Sequence, residues 1–270
     1  MIANPWIAAL FALFLWWFST GAILWVVRRA DNKSPDSHFM NSLLSMPVLV
    51  AGVIALMASL PDTSAAGAWL GFVAAIAIWG WIELAFLSGV ISGPNRAPCP
   101  EDSSGWERFI RACGTIAHHE LLLVCAFSGL IAVSWHEPNQ TAYWTFAVLF
   151  GARISAKVNL FLGVPKINTE FLPRPLFHLP SHFRIRQLNW AFPVSVTVLS
   201  ILLGFWLNQL STEGNVAFAL LAAITALALL EHWLMILPVP DAKLWRWMIP
   251  APTDNKGAPP PRPSGGVHGL

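Results

Sequence analysis

The chain has 270 residues, 56% of them hydrophobic and 11% charged, against about 25% charged in an average soluble domain. With a mean hydropathy of +0.58, it has too few polar residues to cover a water-facing surface, which argues against a soluble fold and for one whose outer face meets lipid. The net charge of +2 gives no reason to expect a nucleic-acid partner.

A helix crosses a bilayer core with about 20 apolar residues, and seven segments reach or approach that length. The first is 5–27. No basic residue precedes it and it is longer than the apolar part of a cleavable leader, so it reads as a retained helix. The others are 43–60, 66–91, 114–135, 141–163, 190–210 and 215–237. These runs are too long and too evenly apolar for barrel strands. The expected fold is all-α, a polytopic transmembrane helix bundle of about seven spans over 1–249. Residues 250–270, rich in Pro and Gly, read as a disordered tail.

The basic residues fix an orientation. Arg28, Arg29 and Lys33 follow the first span. Arg96, Arg108 and Arg111 lie between the third and fourth, and Lys166, Arg174, Arg184 and Arg186 between the fifth and sixth. Lys243, Arg246, Lys256 and Arg262 follow the seventh. Arg153 and Lys157 sit in the half of the fifth span nearest that basic loop, and with Asn159 they read as a snorkelling helix end. The three remaining connections carry no Lys or Arg. Seven spans therefore put all 16 basic residues on one side. The positive-inside rule makes that side cytoplasmic, with the N-terminus periplasmic and the C-terminus cytoplasmic.

Fifteen Trp stand against one Tyr. Trp16, Trp17, Trp79, Trp81, Trp245 and Trp247 read as packing residues or interface anchors. Pro238, Pro240 and Asp241 are expected to end the last span. Cys99, Cys113 and Cys125 are odd in number and lack metal-ligand spacing, so they read as ordinary thiols. His38, His136 and His268 read as exposed residues without a role.

Ionisable residues inside spans are costly, roughly 2.5–3.5 kcal/mol each, and so are candidates for function. Glu83 lies in the third span, His118, His119 and Glu120 in the fourth, and Glu231 and His232 in the seventh. By helical rise, His119, Glu231 and Glu83 lie on the order of 8, 9 and 13 Å from the basic end, so all could share one pocket. The loop after the fifth span holds Glu170, His178 and His182. The H-x-x-x-H spacing would put both imidazoles on one helical face, although Pro180 between them disfavours a regular helix.

Three readings fit this constellation. Glu and His side chains can hold helices together by hydrogen bonds. They can ligate metal, as in non-haem di-iron sites, with Glu83, His119, Glu120, His178, His182, Glu231 and His232 as donors. Or His118, His119 and His232 can ligate a tetrapyrrole, a pigment or a haem. Gly114 lies four residues before His118 and Ala228 four before His232, and a small residue there lets a macrocycle approach the helix.

Several segments carry a family resemblance: ARISAKVNLFLGVPKINTEFLP (152–173), HLPSHFRIRQLNWAFPVSVT, EHWLMILPVPDAKLWRW, WIELAFLSG and HHELLL. They resemble the PuhE family of photosynthetic complex assembly proteins of anoxygenic phototrophic bacteria. The resemblance implies a multi-pass protein of the bacterial inner (cytoplasmic or intracytoplasmic) membrane, encoded among genes for the reaction-centre H subunit. It implies a part in reaction-centre or light-harvesting assembly or in bacteriochlorophyll production. The implied partners are the lipid bilayer and reaction-centre, light-harvesting or pigment-biosynthesis proteins. The family supplies no catalytic or binding residues. The alternative is a metal-dependent, di-iron-like membrane oxidase or hydroxylase acting on a pigment or other lipid-soluble substrate.

Overall fold

The computed structural model of the protein describes residues 3–34, 36–165, 167, 169 and 172–237. Lys166, Glu170, the Pro238–Pro240–Asp241 helix stop, Trp245, Trp247 and the tail from 250 lie outside the described residues. Among the described residues, eight α-helices follow in order: α1 (Pro5–Asp31), α2 (Ser37–Leu44), α3 (Met46–Ser59), α4 (Ala65–Leu87), α5 (Gly105–Ser134), α6 (Thr141–Leu162), α7 (Ala191–Glu213) and α8 (Val216–Leu234). No β-strand occurs among the described residues. One isolated bridge, Val164 to Ile185, closes the loop between α6 and α7.

Taking α2 and α3 together, seven helical segments are long and apolar enough to cross a membrane. The protein is a multi-pass membrane protein. The second segment is broken at Ser45, just before Met46 and Pro47, since proline has no N–H to continue the ladder. It begins at Ser37 rather than 43. The fourth begins nine residues before the expected 114, because Ser104 accepts the N–H of Glu107 and caps a polar extension. Within it Arg111 pairs with Glu107 at 2.8 Å, one turn apart. The third segment ends at Leu87, short of 91. Gly89 adopts a left-handed φ of 71° and the N–H of Val90 returns to the carbonyl of Ala85, a helix stop that needs glycine.

The centre of the bundle is α4 and α8, whose apolar windows are 67% and 61% buried against 17–28% for the others. Helix α4 touches α1, α3, α5, α6 and α8, and α8 touches α1, α4, α6 and α7. Small residues bring backbones close, as membrane bundles require in the absence of a hydrophobic drive between helices. A Cβ on Gly52 of α3 would stand 3.1 Å from the Ala77 methyl of α4, and one on Gly71 of α4 would stand 3.3 Å from the Ala142 amide of α6. Between these contacts Phe72, Ile82, Phe146, Leu220 and Ile224 are fully enclosed. The outer helices show large apolar side chains on their free faces, such as Leu10, Ile54, Leu121 and Ile201.

Polar side chains fasten the two ends. At the end without basic residues, Asn139 donates to the carbonyls of Ser59 and Asp62 and accepts the N–H of Thr141. At the other end Asn189 donates to the Gly163 carbonyl and caps α7 through the amides of Ala191 and Phe192. Arg108 donates to the carbonyls of Ser181, His182 and Phe183, pinning the α6–α7 loop to the extension of α5.

His38, expected to be exposed, is instead buried. Its Nε2 lies 3.2 Å from Asp31, which also lies 3.8 Å from Arg28 and accepts the backbone N–H of Arg174 at 3.1 Å. His38 folds back over the end of α1 onto this carboxylate.

Candidate functional site

At the basic end, α4, α5 and α6 each turn ionisable side chains toward their shared interface. Glu83 of α4 accepts a hydrogen bond from Arg153 Nη2 of α6 at 2.8 Å. Its other oxygen faces Nε2 of His119 on α5 at 3.6 Å. Lys157, one turn beyond Arg153 on α6 and so on the same face, donates to Glu120 and, at 3.1 Å, to Nδ1 of His119. Nδ1 of His119 also lies 3.3 Å from Glu120. Phe86 lies against the imidazole, ring centroids 4.2 Å apart, with Arg153 and Lys157 on its π face. Two carboxylates and two cations balance in charge, which is what makes such a group tolerable between helices.

Arg153 and Lys157 therefore do not snorkel to the helix end, as the sequence suggested. They turn inward because Glu83 and Glu120 lie at the same depth. The signal was present in the i, i+4 spacing of two cations opposite two carboxylates.

The two ionisable residues of α8 diverge. Glu231 faces α1 and accepts the indole N–H of Trp16 at 3.0 Å. His232 faces α6 and α7 and is buried. Its Nδ1 donates to the Ala228 carbonyl one turn back and its Nε2 meets the Ser155 hydroxyl, each at 2.8 Å. Ser155 donates to Ser195 at 2.7 Å, and Asn159, fully buried, donates to Ser195 at 3.0 Å. Ser155 and His232 have the spacing of a nucleophile and its base. The pair ties α6, α7 and α8 together. Asn159 thus belongs to this buried network and not to a solvated helix end.

A cavity of about 230 Å³ lies between α1, α4, α6 and α8. Glu83, Arg153, Glu231 and Trp16 form its polar part, and Ile23, Leu24, Ile76, Trp79, Leu149 and Ile224 its apolar walls.

His118 and His119 part company. His119 is fully enclosed, whereas His118 is on the exposed side of α5. His178 and His182 lie in the loop, where the residues around Pro180 form a 3₁₀ turn, Leu179–His182. Both are buried, and their Nε2 atoms have no hydrogen-bond partner. Burial holds both imidazoles below their ordinary value of 6.5, helped for His178 by its neighbour His182 and opposed for His182 by the His178 carbonyl.

The donor set does not fit a di-iron centre. Such a site needs carboxylates and imidazoles free to converge on a cation. Glu83 and Glu120 already face a guanidinium and an ammonium, Glu231 and His232 point to different helices, and His178 and His182 stay in the loop. Among the described residues no three His, Cys, Asp or Glu side chains are grouped to hold a metal. For a tetrapyrrole, His232 has both ring nitrogens hydrogen-bonded, and His119 is fully enclosed in the bundle with its Nε2 facing Glu83 at 3.6 Å. His118, with Gly114 one turn before it, has an accessible ring.

Sequence comparison gives two matches and one absence. A family model described as "Protein of unknown function (DUF3623)" covers residues 2–256. A Rhodobacter capsulatus protein described as an uncharacterized 30.4 kDa protein in the puhA 5′ region is 51% identical over 255 residues, 93% of each chain. No solved structure matches. The family match spans nearly all of the chain, from before α1 to beyond α8, so the bundle and its buried ionic network are those of a member of the DUF3623 family.

Proposed function

We propose that the protein is an integral-membrane assembly factor for photosynthetic reaction-centre or light-harvesting complexes, and not an enzyme. The observation that carries this reading is the relative named for its place 5′ of puhA, a photosynthesis-gene neighbourhood, together with the resemblance to photosynthetic complex assembly proteins. The geometry supports it. The buried Glu and His residues neutralise and hold one another, as expected of a scaffold. The membrane oxidase alternative would need Glu83, His119 and Glu120 released from Arg153 and Lys157.

In this reading the protein sits in the bacterial inner membrane with its basic end in the cytoplasm, an orientation that the charge distribution supports. Its partners are reaction-centre, light-harvesting or pigment-biosynthesis proteins. If it hands on bacteriochlorophyll, His118 is the residue placed to ligate it, because the macrocycle can lie on the lipid-facing side of α5.

The test is removal of the gene from a phototrophic host, with reaction-centre and antenna absorption measured in isolated membranes. The expected result is a loss of assembled complex that His118→Ala reproduces only if pigment is carried. Unchanged complex levels in the deletion strain would sink the reading. A transition metal present at one or more per purified chain would favour the oxidase.

A further inference from the structure

The cavity between α1, α4, α6 and α8 has the makings of a ligand site independent of the assembly reading. Its walls are apolar and partly aromatic, from Ile23, Ile76, Trp79 and Ile224. Gly80, Ala152, Ala156 and Ala228 leave the space that larger side chains would close. Its polar part is compact and mixed in sign. Arg153 has one hydrogen-bond acceptor among the described residues, Glu83, and its buried Nε has none. A guanidinium carries five N–H donors, so it can still donate to an oxygen in the cavity. Glu231 also lines the cavity and accepts one bond, from Trp16. A carboxylate can accept several, so it can also take a proton from a hydroxyl.

Size and charge narrow the occupant. At about 230 Å³ the cavity falls below the roughly 300–1,000 Å³ of drug-sized sites. It takes one substituted ring and excludes a tetrapyrrole macrocycle. Two carboxylates against one guanidinium give the lining a net negative charge, which repels an anionic head such as that of a fatty acid. Donor and acceptor side by side suit a neutral oxygen-bearing head.

We infer that this cavity binds a neutral, lipid-soluble ring molecule with an oxygen at the cavity's polar end, a quinone whose carbonyl accepts from Arg153 or a quinol whose hydroxyl donates to Glu231. The head lies among Arg153, Glu231 and Trp16, the ring stands against Trp79, and small residues of α4, α6 and α8 set its thickness.

The test uses the full chain in phosphatidylcholine nanodiscs, titrated with decylubiquinone and followed by tryptophan fluorescence, with empty nanodiscs to subtract partitioning. The expected result is a saturable component with one site per chain. Gly80→Leu and, independently, Ala152→Leu fill the cavity and should weaken binding by at least about tenfold, one decade in Kd. Gly80 tolerates a side chain, since the nearest atom to its Cβ would be the Ile23 methyl at 3.6 Å. Glu231→Gln should retain decylubiquinone binding, because a carbonyl head needs Arg153 and not a carboxylate. Decanoic acid should not compete. No saturable component, unchanged affinity in both filled variants, or competition by decanoic acid would each overturn the inference.

Discussion

The Glu83–Arg153 pair is the contact most open to a quantitative test. At 2.8 Å, two unit charges attract by about 6 kcal/mol at an effective dielectric of 20, and desolvation of both ions offsets much of this. Removing one partner strands the other inside the bundle, at about 3–5 kcal/mol for a buried pair. Arg153 is 34% exposed, so the lower end, about 3 kcal/mol, applies. At about 2–4 °C per kcal/mol, Glu83→Gln should lower Tm by roughly 6–12 °C. Arg153→Gln should do much the same. The double variant should lose less than the sum, with a coupling of about 2 kcal/mol. The assay is thermal unfolding in detergent, followed by circular dichroism or by the monodisperse fraction in size-exclusion chromatography. Shifts below about 2 °C for both single variants, or strict additivity in the double, would refute the claim that these charges hold one another.

Further tests address other parts of the bundle. His232→Ala removes a hydrogen-bond partner of the Ser155 hydroxyl and should destabilise by about 1–3 kcal/mol, with no such loss at His118→Ala; equal effects would argue against the buried network. His178 and His182 have depressed values in the fold, so the unfolded loop binds more protons. Their contribution is complete above about pH 6.5 and is lost as pH falls below it. Relative to an unstructured peptide substrate at each pH, trypsin should therefore cut after Arg184 or Arg186 faster at pH 5.5 than at pH 7.5, and a corrected rate independent of pH would contradict their burial. At Gly93, a Cβ would stand 2.0 Å from the Gly114 carbonyl. Gly93→Ala must push the α4–α5 loop off α5 and should cut the folded yield sharply, whereas Gly129→Ala, with open space around it, should not.

The number of spans and their order were legible in the sequence, because about 20 consecutive apolar residues have few other uses. The gathering of basic residues at one end was equally plain. The common depth of Glu83, His119 and Glu231 followed from counting residues along each span. Partners were not legible. Arg153 and Lys157 looked like a solvated helix end, His38 like a surface residue, and Glu231 and His232 like neighbours in one site. The structure turns the first two inward onto Glu83 and Glu120, folds His38 onto Asp31, and sends Glu231 and His232 to different helices. The reason lies in the solvent. In water, an amphipathic stripe tells which face of a helix points inward. In lipid, both faces are apolar, so the rotation of each helix about its axis leaves little trace in the sequence. That rotation, set by small residues such as Gly52 and Gly71 where helices meet, is what only tertiary packing decided, and it determines which charges find each other.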